Sequence, residues 1–254
     1  MKQHKEVIFS KIDMELWDRK EYFFHYYNDV RCTYSVTVNV DITEIYNRVK
    51  DNSLRLYPTL IWWIANSVNH FKFLCFNHDE DGDIGYYNEV NPSFTFMPQN
   101  SDKFHVLWCK YERSFKKFYD RCVEVMDTCD ESKMFPMTDM PKNCFDISSV
   151  PWIEFTSFNL NVFTTGTHLP PIFTTGKLIK ENGRVKLPFC LQAHHSICDG
   201  YHAGQFYDHL QNLADKARDW LKKSNSNLFM CFFVLNIVRT TIKTNWHPDY
   251  TVFI

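Results

Sequence analysis

Residues 34–40 read Tyr-Ser-Val-Thr-Val-Asn-Val, a two-residue alternation that turns one face of an extended strand toward a core and the other toward water. Asp41 and Thr43 follow with the short oxygen-bearing side chains that cap helices, so the pattern predicts a strand-to-helix unit. Beyond Pro58, whose fixed φ suits a first helical turn, Leu60, Ile61, Ile64 and Val68 fall on one helical face. Leu107, Tyr111, Phe115 and Phe118 repeat that spacing and predict a second amphipathic helix. Residues 158–162, Phe-Asn-Leu-Asn-Val, alternate again as a strand. Residues 172–179 and 185–193 are apolar runs flanking Glu-Asn-Gly-Arg at 181–184, where Asn182-Gly183 is a strong hairpin signal. The second half therefore reads as mainly sheet up to residue 200. Phe206, Leu210, Leu213, Ala217 and Leu221 then recur at helical spacing and predict a helix that closes near Lys223. This mixture predicts an α/β fold, a two-layer sandwich of a mixed β-sheet and helices, with residues 1–223 as one domain. From Ser224 the pattern changes to a Ser/Asn-rich joint, an apolar patch and an ending at Ile254, so residues 224–254 read as a C-terminal appendage without an assigned role.

Composition narrows the function classes. The 254 residues carry 28 Lys and Arg against 30 Asp and Glu, a net charge of -2, which offers no basic footprint for nucleic acid. Aromatic residues make up 17% of the chain, enough to line a pocket or a subunit interface as well as a core. The nine cysteines are odd in number and scattered, with no Cys-x-x-Cys pair, so neither a disulfide framework nor a zinc ribbon is predicted. The start, Met-Lys-Gln-His-Lys-Glu, lacks the apolar stretch of a signal peptide, and the expectation is a cytoplasmic protein with reduced thiols. The apolar run at 228–238 is about half the roughly 20 residues needed to span a bilayer, so no membrane segment is expected.

Two charged stretches are set aside. Asn-His-Asp-Glu-Asp-Gly-Asp at 77–83 partly imitates a calcium loop, but its twelfth position is Asn88 where a bidentate Glu is required, which predicts an acidic hairpin turn instead. Lys116 and Lys117, with Arg113 and Arg121, read as the wet side of a helix. No metal is expected.

The densest chemistry is at 193–202, Ala-His-His-Ser-Ile-Cys-Asp-Gly-Tyr-His, where a predicted strand gives way to a helix. Adjacent histidines on a strand point to opposite faces, so only one of His194 and His195 can serve a given site. A neutral imidazole is a suitable base near neutral pH once its tautomer is fixed. The residues alone leave three readings open: a catalytic histidine, a metal site built from His195, Asp199 and His202, or a polar turn with satisfied histidines.

The run His-His-x-x-x-Asp-Gly-aromatic-His resembles the active-site signature of the chloramphenicol acetyltransferase family, and its His-x-x-x-Asp-Gly core recurs across the CoA-dependent acyltransferases. The resemblance extends over residues 7 to 222 in order and spacing: Trp-Asp-Arg-Lys-Glu-Tyr-Phe from Trp17, Cys-Thr-Tyr-Ser from Cys32, Leu-Tyr-Pro from Leu56, Asn-Pro-Ser-Phe-Thr from Asn91, Ser148-x-x-Pro-Trp152, Thr-Ser-Phe-Asn-Leu-Asn-Val from Thr156 and Pro-Ile-Phe-Thr from Pro171. It implies that His195 takes the proton from an acceptor hydroxyl whose oxygen attacks the thioester of acetyl-CoA, with Ser148 donating to the oxyanion. It implies that Asp199 pairs with Arg19 to brace the histidine-bearing loop, not to act as a triad carboxylate. The matching acceptor-pocket positions are Tyr26, Val30, Tyr34, Phe104, Phe158, Leu160, Val162, Ile172 and Thr174. Those matching the coenzyme tunnel are Arg55, Tyr57, Trp152 and Lys177. A homotrimer with active sites between subunits is implied as well.

The chain also departs from the family pattern. Lys72-Phe-Leu74 stands where Glu-Phe-Arg is common, Met97-Pro98 where Phe-His is usual, Phe104-His-Val106 where Phe-Ser-Ser is usual, and Leu178 where an aromatic commonly follows the coenzyme lysine. The leading expectation is acetylation, and so inactivation, of the antibiotic chloramphenicol. The alternatives are an acyltransferase for another small hydroxylated acceptor and a catalytically weakened homologue that binds a hydrophobic ligand.

Overall fold

A computed structural model describes residues 6–99, 101–135, 140–160 and 167–222. In chain order its first half runs β1 (Phe9–Lys11), α1 (Lys20–Phe24), β2 (Thr33–Asp41), α2 (Thr43–Asp51), α3 (Leu56–Val68), β3 (Phe76–His78), β4 (Ile84–Tyr87), β5 (Asn91–Phe96) and β6 (His105–Trp108). The second half runs α4 (Phe115–Asp127), β7 (Cys144–Ser149), β8 (Ile172–Thr175), β9 (Ile179–Glu181), β10 (Arg184–His194), α5 (Gly200–Asp215) and α6 (Ala217–Trp220). A short antiparallel sheet, β1-β4-β3, stands beside the main sheet, whose order is β2-β10-β8-β7-β5-β6 with β9 added on β10. The main sheet is mixed: β7 lies parallel to both β5 and β8, and the other pairings are antiparallel. An α/β two-layer sandwich is the observed architecture.

Alternation decides what each face of that sheet does. Phe94, Phe145, Ile147, Phe173, Phe189 and Leu191 point one way and are almost fully buried. They meet the helices through contacts such as Trp63 on Phe189 at 5.8 Å and Phe206 on Phe173 at 5.3 Å. Helix α3 is buried on nearly every side, because it lies between the sheet and its neighbours α4 and α5. The opposite face carries Ser93, Thr95, Asp146, Ser148, Thr174, Cys190 and Gln192, a largely polar row. This is the face that bears Ser148.

Local chemistry explains several of the joints. Asp41 Oδ1 accepts from the Thr43 amide at 2.9 Å, a turn just ahead of α2, whose N-cap is Ile42 and not the expected Asp41 or Thr43. Asn182 and Gly183 take left-handed φ values of 49° and 75°, the combination that a two-residue turn between β9 and β10 needs. Pro188, inside β10, offers its carbonyl to the Gly176 amide at 2.8 Å, at the point where the partner strand changes from β9 to β8 and no ladder donor is required. The acidic stretch at 77–83 is a hairpin turn between β3 and β4, with Asp79 Oδ1 accepting from the amides of Asp81 and Asp83 and Gly82 at φ 85°.

Four expectations need correction. Leu107 lies in β6 and Tyr111 in the loop after it, so the second helix starts only at Phe115. Their i, i+4 spacing arises because strand, loop and helix all face one core, with Tyr111 locked by Asn91 and Asn66. Residues 158–160 form no strand. Their backbone is held by side chains, Leu160 N–H on Gln192 Oε1 and Leu160 C=O on Gln192 Nε2, both at 2.8 Å. Among the described residues between β7 and β8 no strand occurs, so the second half is less rich in sheet than its alternation suggests. The closing helix breaks at Lys216 into α5 and α6, and Trp220 packs on Trp62 at 4.7 Å. Val162 and residues 224–254, including Cys231, lie outside the described residues, as does most of the N-terminal hexapeptide. Among the described residues no helix is long and apolar enough to cross a membrane, and the eight described cysteines are free thiols.

Candidate active site

Strand β10 ends at His194, and its partner β2 continues the register one step so that the His195 amide donates to the Cys32 carbonyl at 2.9 Å. The chain then turns sharply, with the amides of Ile197 and Cys198 both reaching the His194 carbonyl. His194 is buried, its Nδ1 2.7 Å from the Ser196 hydroxyl. His195 is half-buried and its ring lies flat on Tyr26, centroids 3.9 Å apart and planes 16° from parallel. Tyr26 comes from a π-helical turn, His25–Asp29, and Arg31 takes a left-handed φ of 53° as the chain leaves that turn for β2. Nδ1 of His195 is buried without a hydrogen-bond partner among the described residues.

The loop is braced from the far end of the chain. Asp199 caps α5, its Oδ1 accepting from the amides of Tyr201 and His202, while His202 Nδ1 faces the Asp199 amide in a capping box. Arg19 Nη1 donates to Asp199 Oδ2 at 3.2 Å. Partial burial raises the Asp199 carboxyl, but the hydrogen bond from His202, the neighbouring His202 and Arg19 outweigh it and hold the carboxyl below its ordinary range. Tyr34 stands 5.2 Å from the His195 ring and donates its hydroxyl to Cys198 Sγ at 3.5 Å. Burial keeps that phenol neutral and pushes the Cys198 thiol up to about 11. A thiolate nucleophile is thereby disfavoured beside the histidine. The sequence did not single out this Tyr34–Cys198 link.

A second group gathers on the polar face. Ser148 at the end of β7 lies opposite Thr174, which lies opposite Cys190. Thr95 on β5 accepts from the Ser149 amide at 3.3 Å, and Val106 lies opposite Thr95. Ile172 and Thr174 are buried within this row, while Phe104, Trp152 and Leu160 are exposed at its border and Phe158 is half-buried there. The Lys177 amide donates to the Ile153 carbonyl at 2.9 Å, which sets exposed Lys177 beside exposed Trp152. Arg55 precedes α3 and pairs with Asp127 at 2.7 Å. Tyr57 is buried with its hydroxyl on the Thr95 carbonyl at 2.7 Å, so it supports the row from behind. Val30 is exposed near the His195 group. The polar latch Gln192 was missed in the sequence; an amide among apolar strand positions was its signal.

These two groups do not meet within one chain. His195 lies five residues past Cys190, and Ser148 is level with Cys190 two strands away. At ~3.3 Å per residue and ~4.8 Å per strand the backbones are roughly 19 Å apart. The chain therefore presents two separate groups, one around His195 and one around Ser148. Among the described residues no group of three His, Cys, Asp or Glu side chains converges as metal ligands, and His202 is committed to the Asp199 cap.

The model of the chloramphenicol acetyltransferase family matches residues 7–211. A chloramphenicol acetyltransferase from Clostridium butyricum is 42% identical over 217 residues, covering 84% of this chain and 98% of that protein. One from Staphylococcus aureus is 38% identical over 214 residues, 84% of this chain and 99% of the relative. Among solved structures, a chloramphenicol acetyltransferase superposes with a TM-score of 0.73 at 21% identity, covering 82% of this chain and all of that one. A dihydrolipoamide acetyltransferase of Azotobacter vinelandii superposes at 0.60 with 20% identity, 80% of this chain and 88% of its own. The last two are similarities of fold.

Proposed function

The chain belongs to the chloramphenicol acetyltransferase family, and from that premise we propose that it transfers an acetyl group from acetyl-CoA to a primary hydroxyl of chloramphenicol, inactivating the antibiotic. The observation that carries the reading is the His195 imidazole, fixed by Tyr26 and by the Arg19–Asp199 brace at a strand end. With Nδ1 buried, Nε2 is the nitrogen that meets the acceptor hydroxyl and takes its proton. The acceptor oxygen attacks the thioester carbonyl directly. The Ser148 hydroxyl donates to the oxygen that becomes negative, and collapse of the tetrahedral intermediate expels the CoA thiolate, which recovers the proton from the imidazolium. Tyr26, stacked flat on the ring, holds the imidazole plane in place through both proton transfers.

Because His195 and Ser148 are far apart in one protomer, the working site forms where the His195 half of one copy meets the Ser148 half of the next, which a closed trimer repeats three times. On this reading Tyr26, Val30 and Tyr34 approach the acceptor from the histidine side, and Phe104, Phe158, Leu160, Val162, Ile172 and Thr174 from the serine side. Lys177 and Arg55 would meet the phosphates of CoA and Trp152 would cover its pantetheine or adenine, while Tyr57 holds Thr95 in place. The catalytic domain on this reading is residues 1–223.

Purified protein mixed with acetyl-CoA, chloramphenicol and a thiol reagent tests the reading. CoA release is expected, falling about 10²–10⁴-fold in kcat in His195→Ala, the usual worth of a positioned general base. No release from folded protein would sink chloramphenicol as the acceptor. A second reading, transfer to another small aromatic alcohol, rests on the departures from the family pattern at Met97-Pro98 and at Val106, which lies opposite Thr95. A panel of hydroxylated acceptors separates the two. Ligand binding without turnover, unchanged by His195→Ala, would instead mark a binding protein.

A further inference from the structure

His105 begins β6 and points away from the polar face, into the layer where the helices pack, and it is 2% exposed. Its Nδ1 lies 3.1 Å from the Lys133 carbonyl, which can only accept, so the ring donates through Nδ1–H. The next residue, Val106, donates its amide to the Met134 carbonyl at 2.8 Å. The preceding residue, Phe104, meets Phe135 edge-on with centroids 6.2 Å apart. Three consecutive residues thus grip three consecutive residues of the segment that leaves α4. Phe104, Met134 and Phe135 remain 47%, 46% and 49% exposed, an apolar rim at the end of the row that contains Thr95 and Ser148. Alternation places Phe104 and Val106 on the Ser148 face because His105 occupies the other one.

We propose that His105 is a positioning residue for acceptor specificity: by tying residues 133–135 to β6 it sets Phe104 and Phe135 as a paired aromatic edge that takes the aryl end of the acceptor alcohol. The inference rests on the reading of Phe104 as an acceptor-facing residue. An amide of Asn in place of His105 presents a donor where Nδ1 stood, whereas Ala presents none. Loss of the clasp leaves the reacting atoms untouched and loosens only the edge that holds the ring. Its cost therefore belongs in the acceptor KM.

The test measures His105→Ala, His105→Asn and Phe135→Ala, the last removing a half-exposed ring without opening the core. In His105→Ala the acceptor KM is expected to rise about three- to tenfold, the worth of one hydrogen bond, with kcat and the KM of acetyl-CoA unchanged. His105→Asn should retain the wild-type KM, and Phe135→Ala should match His105→Ala. Hydrogen exchange gives a readout without turnover: the Val106 amide exchanges faster in His105→Ala, and chloramphenicol alone slows exchange at residues 133–135 of the wild type. An unchanged acceptor KM, a parallel loss of kcat and both KM values, or no protection by the ligand overturns the proposal. If the wild type acetylates a different aryl alcohol and not chloramphenicol, the acceptor assignment fails by itself, and the same KM and exchange comparisons made with that alcohol decide the clasp.

Discussion

At the scale of single residues, the candidate base is set by what lies against it more than by where it sits in the chain. Tyr26 covers one face of the His195 ring at 3.9 Å, which fixes the plane of the imidazole. Tyr26→Phe keeps that face and should retain kcat, while Tyr26→Leu should lower kcat about two- to twelvefold, as expected for a lost ring-on-ring contact of ~0.5–1.5 kcal/mol. Steady-state kinetics at saturating acceptor distinguish them. Asp199 offers a cleaner separation of cap from charge. Asn caps a helix as well as Asp does, so Asp199→Asn removes mainly the ion pair with Arg19, whose side chains are 24% and 32% exposed, and solvent screening holds the loss below ~1 kcal/mol. Asp199→Ala removes the cap too and should cost about 1 kcal/mol more. Because the folded carboxyl is held below its ordinary value of 3.8, its stabilisation is present above that value and is lost as pH falls through the lowered one. The difference in urea midpoint between wild type and Asp199→Asn should therefore be complete at neutral pH and vanish in strong acid.

At the scale of elements, patterns that depend on near neighbours were legible and those that depend on distant ones were not. The alternation of β2, the Asn182-Gly183 turn and the acidic turn at 77–83 are local chemistry, and the structure carries all three. Gly183→Ala tests the turn: a φ of 75° strains any residue with a Cβ, and a loss of about 1 kcal/mol is expected in chemical denaturation, with no effect on acceptor KM. Leu107 and Tyr111 misled because a shared core imposes helical spacing on residues that belong to no helix. Residues 158–160 misled for a related reason, since an alternating segment forms a strand only when a backbone edge is free to pair with it, and here Gln192 and Cys190 hold it by their side chains. The histidine loop could be read from sequence because its signature is contiguous. Ser148 could not, since the row joining Val106, Thr95, Ser148 and Thr174 crosses strands that are far apart in the chain, and only the family resemblance pointed to it.

At the scale of the whole molecule, the roughly 19 Å between the His195 and Ser148 backbones makes assembly part of the proposed chemistry. Two variants separate this from a site complete in one chain. His195→Ala protein keeps the serine half-site and Ser148→Ala protein keeps the histidine half-site, so each alone should have little activity. Co-expressed in equal amounts and assembled at random into trimers, about a quarter of the interfaces would join an intact His195 from one copy to an intact Ser148 from the next. Activity of the mixture should approach about a quarter of wild type, well above the sum of the two variants assayed separately. Mixing them after assembly, without subunit exchange, should restore nothing. A monomeric mass in solution, or co-expressed activity no greater than that sum, would return both residues to one protomer and end the shared-site mechanism.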